Sequence, residues 1–113
     1  FWYRLETGGH PLTDTQCGYR VYPLELFDRI HVCGDRMDFD VEVLVRAVWA
    51  GAEVRGLPTH VRYFPPEERV SGFQPLRDNL RFSLLHFWMT NAFVLLSVGR
   101  WISRLWRGLW RRR

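Results

Sequence analysis

The clearest apolar pattern along the chain is a helical stripe between residues 39 and 50. Its members recur at the i, i+3, i+4 and i+7 spacing of one helix face, and they are Val41, Leu44, Val45 and Val48. Gly51 follows, and glycine readily adopts the left-handed conformation that ends a helix. Asp38 and Asp40 stand where a carboxylate can accept an N-terminal N–H. The pattern predicts a helix over residues 39–50 that Asp38 or Asp40 caps and Gly51 stops.

Shorter patterns predict the elements on either side of this helix. Residues 1–7 are typical of the end of a helix, which the glycine pair at 8–9 stops. Residues 17–22 are short, aromatic and β-branched, and residues 53–64 alternate around a proline, so both segments predict strands. Pro23 opens a brief predicted helix over residues 24–30. Proline suits this place because the N–H that it lacks would have no partner in the first turn of a helix.

A long apolar run occupies residues 82–99, which are eighteen residues without a charged side chain. This length is at the lower limit for crossing a bilayer, which is about 18 residues. The run also contains polar residues that a lipid-exposed helix avoids, namely Ser83, His86, Thr90, Asn91 and Ser97. Two interpretations remain open: a transmembrane span, and a buried or partly embedded helix.

The charge is divided between the body and the tail. Residues 100–113 carry six of the sixteen arginines and no acid, which leaves ten arginines against twelve acids, a net charge of −2, over residues 1–99. A nucleic-acid-binding domain needs a basic footprint spread over a folded face. The charge pattern therefore disfavours a nucleic-acid partner.

The basic tail has the pattern of a helix that lies at a membrane surface. One helix face collects Trp101, Ile102, Leu105, Trp106, Leu109 and Trp110, and most arginines fall off it. Tryptophan favours the headgroup layer, and each arginine near an anionic surface contributes about 1 kcal/mol. We predict a membrane-interface site formed by Trp101, Arg104, Trp106, Arg107 and Trp110. The alternative is a solvated or partner-binding helix.

The loop at residues 14–20 combines side chains that suit phosphate binding. Gly18 allows the backbone to approach a phosphate closely, and Arg20 can clamp it with two hydrogen bonds. Gln16 adds an amide, and Asp14 a carboxylate that can hold a proton. The alternative is a capped turn with a structural Asp–Arg pair.

Four segments in order resemble family 2 glycosyltransferases, above all the branch that transfers mannose or glucose to polyprenyl phosphate. The first is Asp-Thr-Gln-Cys-Gly-Tyr-Arg at residues 14–20. The helix at 39–47, the segment at 54–63 and the segment at 69–79 follow in the family's order. The sequence departs from the family at Asp40, where glutamate is usual, and at Gly72, where one subgroup often has histidine.

This resemblance implies an α/β fold, the C-terminal portion of the GT-A nucleotide-sugar transferase fold, followed by a long apolar helix and a basic amphipathic C-terminal helix. Residues 1–79 would belong to the transferase domain, and residues 80–113 to the apolar helix and membrane-interface tail. The family implies a nucleotide-sugar donor and a divalent metal, Mg²⁺ or Mn²⁺, both bound by the preceding half of the domain. The Asp-x-Asp at residues 38–40 opens a helix, so we expect it to cap that helix and assign no metal ligand.

The first residue is Phe1 and not Met, so we expect a fragment of a longer parent enzyme. The resemblance implies that this fragment would retain the acceptor side of the site, and it also implies the reaction of the parent. A lipid-phosphate acceptor needs no base, whereas a hydroxyl acceptor needs a carboxylate to take its proton. Asp14 is the first candidate for that role and Glu42 the second, with a structural pair between Glu42 and an arginine as the alternative. A lipid-linked acceptor and an anionic surface predict the cytoplasmic face of a membrane. The competing function is a non-catalytic module that binds membranes through its tail.

Overall fold

The computed structural model describes residues 1–60, 65–68 and 72–110. Within these ranges three α-helices follow one another: α1 (Trp2–Glu6), α2 (Met37–Trp49) and α3 (Pro75–Trp110). Two 3-10 turns, at Leu24–Leu26 and Pro66–Glu68, lie between them. The first of these turns is shorter than the helix predicted over residues 24–30.

The predicted α/β fold is wrong, since the described ranges are all-helical and contain no strand. Residues 17–22 and 53–60 have no regular structure, while residues 61–64 lie outside the described part of the chain. β-branched and aromatic residues favour a strand only where a neighbouring strand completes its hydrogen bonds. Neither segment has such a neighbour among the described residues, so the chain does not form a portion of a GT-A sheet.

The predicted helix over residues 39–50 is confirmed as α2, and Gly51 ends it with a positive φ of 77°. The predicted cap is wrong. The residue before the helix is Arg36, which makes no side-chain cap, and Asp38 and Asp40 lie inside the first turn. There the positive end of the helix dipole stabilises their negative charges. Their carboxylates also face arginines from other segments.

The core lies where α1 and α2 meet one side of α3. Val41, Leu44 and Val45 of α2 pack with Tyr3 of α1 and Met89 of α3. Each of these apolar side chains is at most 5% exposed, and burial of a side chain of this size contributes about 1.5–3 kcal/mol. Burial also raises the pKa of the Tyr3 hydroxyl, which nearby Arg20 lowers in part.

The apolar run and the basic tail form one continuous helix rather than the two that were predicted. α3 has 36 residues and is therefore about 54 Å long at about 1.5 Å per residue. It is long and apolar enough to cross or anchor in a membrane. The side chains of residues 108–110 and all of residues 111–113 lie outside the described part, so the predicted positions of Trp110 and the last arginines are not described.

The start of α3 is fixed by a buried carboxylate. Asp78 is 1% exposed and accepts hydrogen bonds from the Gln74 N–H at 2.7 Å and from Arg36 Nε at 3.3 Å. The Gln74 N–H lowers the pKa of Asp78 most, burial opposes this effect, and Arg36 lowers the pKa further. The ionised carboxylate is thus the form that the folded chain stabilises.

This depressed pKa predicts a loss of stability in acid. Asp78 should stabilise the fold fully above the ordinary pKa of an aspartate, about 3.9, and this stabilisation should vanish as the pH falls through the lower folded-state pKa. We expect the free energy of unfolding of Asp78→Asn, measured by urea titration, to fall less steeply below about pH 4 than that of the unaltered protein. Asp28→Asn, at an exposed position, is the control. Parallel acid profiles for both variants would contradict the assignment.

Candidate functional site

The Arg20 guanidinium makes hydrogen bonds and an ion pair within the protein. Its Nη2 donates to the Thr15 carbonyl at 2.7 Å, and its Nη1 donates to the Asp40 carbonyl and to the Tyr22 hydroxyl at 3.3 Å. The Asp40 carboxylate lies 3.5 Å from Nη1, and the Arg20 side chain is 11% exposed. The guanidinium therefore holds the loop of residues 14–20 against the first turn of α2.

Asp14 shapes the same loop. Its Oδ1 accepts the N–H groups of Gln16 at 2.8 Å and Cys17 at 3.1 Å, which is the hydrogen-bonding pattern of an Asx turn. The carboxylate that pairs with Arg20 is that of Asp40, not that of Asp14. Gln16 and Gly18 are exposed, and a Cβ added to Gly18 would meet no atom within 4 Å. The turn thus presents Gln16 on the surface.

Glu42 is buried inside the fold. It is 2% exposed, and its Oε1 accepts a hydrogen bond from Arg46 Nε at 2.6 Å. Its Oε2 accepts the N–H groups of Cys33 at 3.0 Å and Gly34 at 2.7 Å. At Gly34 a Cβ would lie 2.7 Å from the Phe39 nitrogen, so only glycine fits there. Glu42 joins this loop to α2. Its pair with Arg46 is the structural role that stood as the alternative to a catalytic one.

A groove runs along α3 and collects residues from distant parts of the sequence. It consists of two adjoining cavities of about 730 and 450 Å³, which share Gln16, Asn79 and Phe82. The larger cavity adds Trp2, Ser83, His86, Phe87, Thr90 and Asn91. The smaller one adds Met37, Asp40 and Phe73. Of the predicted site residues near the loop, Gln16 alone lines this groove.

A buried carboxylate and an imidazole lie beside the larger cavity. Glu6 is 0% exposed, its Oε1 is 2.9 Å from His86 Nδ1, and Thr90 Oγ1 donates to the same oxygen at 3.4 Å. The second carboxylate oxygen of Glu6 is buried and has no hydrogen-bond partner among the described residues. The Trp2 ring stacks on His86 with centroids 5.6 Å apart. No sequence pattern links these residues, because 80 positions separate Glu6 from His86 and only folding brings them together.

This arrangement can bind a polar ligand and receive a proton. A carboxylate that accepts the Nδ1–H of an imidazole leaves Nε2 free to accept a hydrogen bond or a proton from a hydroxyl. Amides at Gln16, Asn79 and Asn91 and aromatic rings at Phe82 and Phe87 line the same groove. Such a mixture of apolar walls and a few polar groups is typical of a small-molecule site of about 300–1,000 Å³.

The described residues do not provide the donor set of a divalent metal. They contain no group of three or more His, Cys, Asp or Glu side chains able to hold a metal ion. Asp38 and Asp40, which spell the Asp-x-Asp pattern, each face a guanidinium: Arg81 at 2.8 Å and Arg20 at 3.5 Å.

The predicted membrane-interface residues lie on the last turns of α3. Trp101 and Trp106 are each 63% exposed, and Arg104 and Arg107 are exposed as well. Arg107 donates to the Ser103 hydroxyl one turn earlier at 3.4 Å. This end of α3 extends beyond the residues that pack against α1 and α2.

Comparison with known proteins found no matching family model, no matching curated protein and no matching solved structure. The resemblance to family 2 glycosyltransferases thus rests on the four sequence segments.

The contacts of Glu42 predict that it stabilises the fold. Glu42→Gln should lower the free energy of unfolding by about 2 kcal/mol, because it removes the charge that Arg46 and two backbone N–H groups face. Glu53→Gln is the matched control, since its pair with Arg55 is exposed and contributes about 0.5 kcal/mol or less. Urea unfolding followed by circular dichroism measures both. Equal shifts in the two variants would contradict a structural role for Glu42.

Proposed function

We propose that this chain supplies the acceptor groove and the membrane-attachment helix of a family 2 glycosyltransferase. The enzyme would transfer a sugar from a nucleotide-sugar donor to a lipid-linked acceptor, such as a polyprenyl phosphate, at the cytoplasmic face of a membrane. One observation carries this proposal: three of the four segments that resemble the family, although distant in sequence, meet at a single groove. Gln16 comes from the first segment, Asp40 from the second, and Phe73 and Asn79 from the last.

Ion pairs hold these segments together. Arg20 joins the first segment to Asp40 of α2, and Arg36, which precedes α2, pairs with Asp78 of α3 at 3.3 Å. Arg81 of α3 pairs with Asp38 at 2.8 Å and with Asp35. The hydrogen bond to Asp38 and the one to Asp35 raise the pKa of Arg81 above its ordinary value, and the guanidinium is charged at every physiological pH.

The groove suits the headgroup of an acceptor rather than a nucleotide. Its polar groups are three amides, two hydroxyls, the His86 imidazole and the Asp40 carboxylate, and aromatic rings form the walls. A sugar or phosphate headgroup can take hydrogen bonds from Gln16 and Asn79, and a hydroxyl acceptor can pass its proton to His86 Nε2. In this proposal residues outside this chain would hold the donor and a divalent metal, which would supply positive charge for the departing diphosphate.

The predicted catalytic and binding residues take supporting roles in this proposal. Asp14 and Arg20 hold the loop that presents Gln16, and Glu42 holds the loop before α2. None of these three lines the groove described above, whereas His86 does. The Glu6–His86 pair therefore replaces Asp14 and Glu42 as the proposed proton acceptor.

Sugar transfer by native membranes tests the proposal. Membranes from cells that carry the gene at its native locus, and from a deletion strain, are supplied with labelled nucleotide sugars, and label in extracted lipid is counted. We expect gene-dependent lipid labelling, and a loss of about tenfold or more in His86→Gln, since one groove hydrogen bond contributes about 1.5 kcal/mol.

His31→Gln is the matched control, because His31 is exposed and lies outside the groove. Labelling that does not depend on the gene for any nucleotide sugar would contradict the glycosyltransferase proposal and favour the non-catalytic membrane module. An equal loss in both histidine variants would contradict the role of the groove.

A further inference from the structure

The exposed apolar side chains of α3 form one stripe along the helix. At about 100° per residue they fall within an arc of about 140°, and Leu96 is the one exposed large apolar residue of the described helix that lies outside it. The centre of the arc, here named the apolar stripe, is formed by Leu80, Leu84, Phe87, Val98, Ile102 and Leu105. These six side chains are between 45% and 68% exposed.

The opposite side of α3 is covered by protein in its first half and is basic in its second half. Met89 is buried in the core on that side. The Phe93 ring lies beside Gly8, 3.5 Å from the position that a Cβ on Gly8 would occupy. Further along the same side lie Arg100, Arg104 and Arg107. Both halves of α3 thus have the apolar stripe on the same side. The opposite side carries the packed domain in the first half and the arginines in the second.

We infer that α3 lies in the plane of an anionic membrane leaflet, with the apolar stripe in the lipid and with α1 and α2 on the aqueous side. A transmembrane helix must be apolar on all sides over about 20 residues, or about 30 Å. Between Phe93, which lies near Gly8, and Arg100, the helix has neither a protein contact nor a charge only over residues 94–99, which is about 9 Å and includes Ser97. A helix with a full-length apolar stripe and an opposite polar side matches an in-plane position.

The tryptophans and arginines identify the partner as a charged lipid surface. Trp101 lies at one border of the apolar stripe, and Trp88 and Trp106 lie at the other, each at least 63% exposed. Indole rings at the borders of an apolar face reach the headgroup layer. Residues 100–113 contain six arginines and no acid, whereas residues 1–99 carry a net charge of −2, so attraction to anionic lipid is concentrated at this end.

One polar residue lies within the apolar stripe. Asn91 falls near its centre, and its side-chain nitrogen donates to the Phe87 carbonyl at 2.6 Å. This hydrogen bond reduces the cost of placing the amide near lipid. Phe87 and Asn91 also line the larger cavity, so the groove opens beside the apolar stripe. If the proposed function holds, a lipid-linked acceptor can place its headgroup in the groove while its tail stays in the leaflet.

A matched pair of glutamate substitutions tests the orientation in the full chain. Val98→Glu places a charge in the apolar stripe and Leu96→Glu places it on the opposite side, at side chains that are 48% and 49% exposed. We expect Val98→Glu to weaken binding to phosphatidylcholine vesicles that contain phosphatidylglycerol about tenfold, because it removes one buried apolar side chain from lipid. Leu96→Glu should bind nearly as well as the unaltered chain, and circular dichroism verifies that both variants are folded.

Three other outcomes contradict the inference. Equal weakening in both variants means that α3 is lipid-exposed on all sides and spans the bilayer, which leaves the membrane attachment of the proposed function intact. No weakening in either variant means that the apolar stripe does not meet lipid. A chain that binds no vesicles and is a dimer in solution means that a second copy covers the stripe. The expected vesicle binding, together with no gene-dependent sugar transfer by native membranes, contradicts the proposed enzyme alone and leaves the inference intact.

Discussion

The structure depends on the contact of α1 and α2 with one side of α3. Apolar packing around Val45 and Met89 contributes to this contact, and arginine–carboxylate pairs fix its register. Asp38 and Asp78 are both buried, and each faces an arginine across the α2–α3 contact. Loss of one partner would leave a buried charge uncompensated, which costs about 3–5 kcal/mol. These ion pairs therefore fix α3 in a single position relative to the rest of the chain.

This single-sided contact gives α3 its two surfaces. The side that faces α1 and α2 borders the groove, where Gln16, Asn79 and the Glu6–His86 pair meet. The other side remains uncovered and apolar along the helix. An exposed apolar surface of this extent marks an interaction site rather than an ordinary protein surface. The same helix can thus bind lipid on one side and position a polar ligand on the next.

The sequence predicted the helices better than the strands, for a physical reason. The stripe of Val41, Leu44 and Val45 is a local signal, and α2 forms from its own hydrogen bonds. The segments at 17–22 and 53–60 carry strand-forming residues, but a strand needs a partner that composition cannot reveal. Asp38 was expected to cap a helix and instead pairs with Arg81, 43 residues away. The Glu6–His86 pair spans 80 residues and leaves no local pattern to detect.

In the proposed arrangement α3 brings a polar groove beside a lipid surface. Photocrosslinking in native membranes tests this arrangement directly, with a photoreactive residue placed at Ser83 in the groove or at Leu96 on the opposite side. We expect a covalent adduct with a lipid-linked sugar or phosphate at position 83 and none at position 96. Adducts of position 83 with protein alone, or equal lipid adducts at both positions, would contradict it.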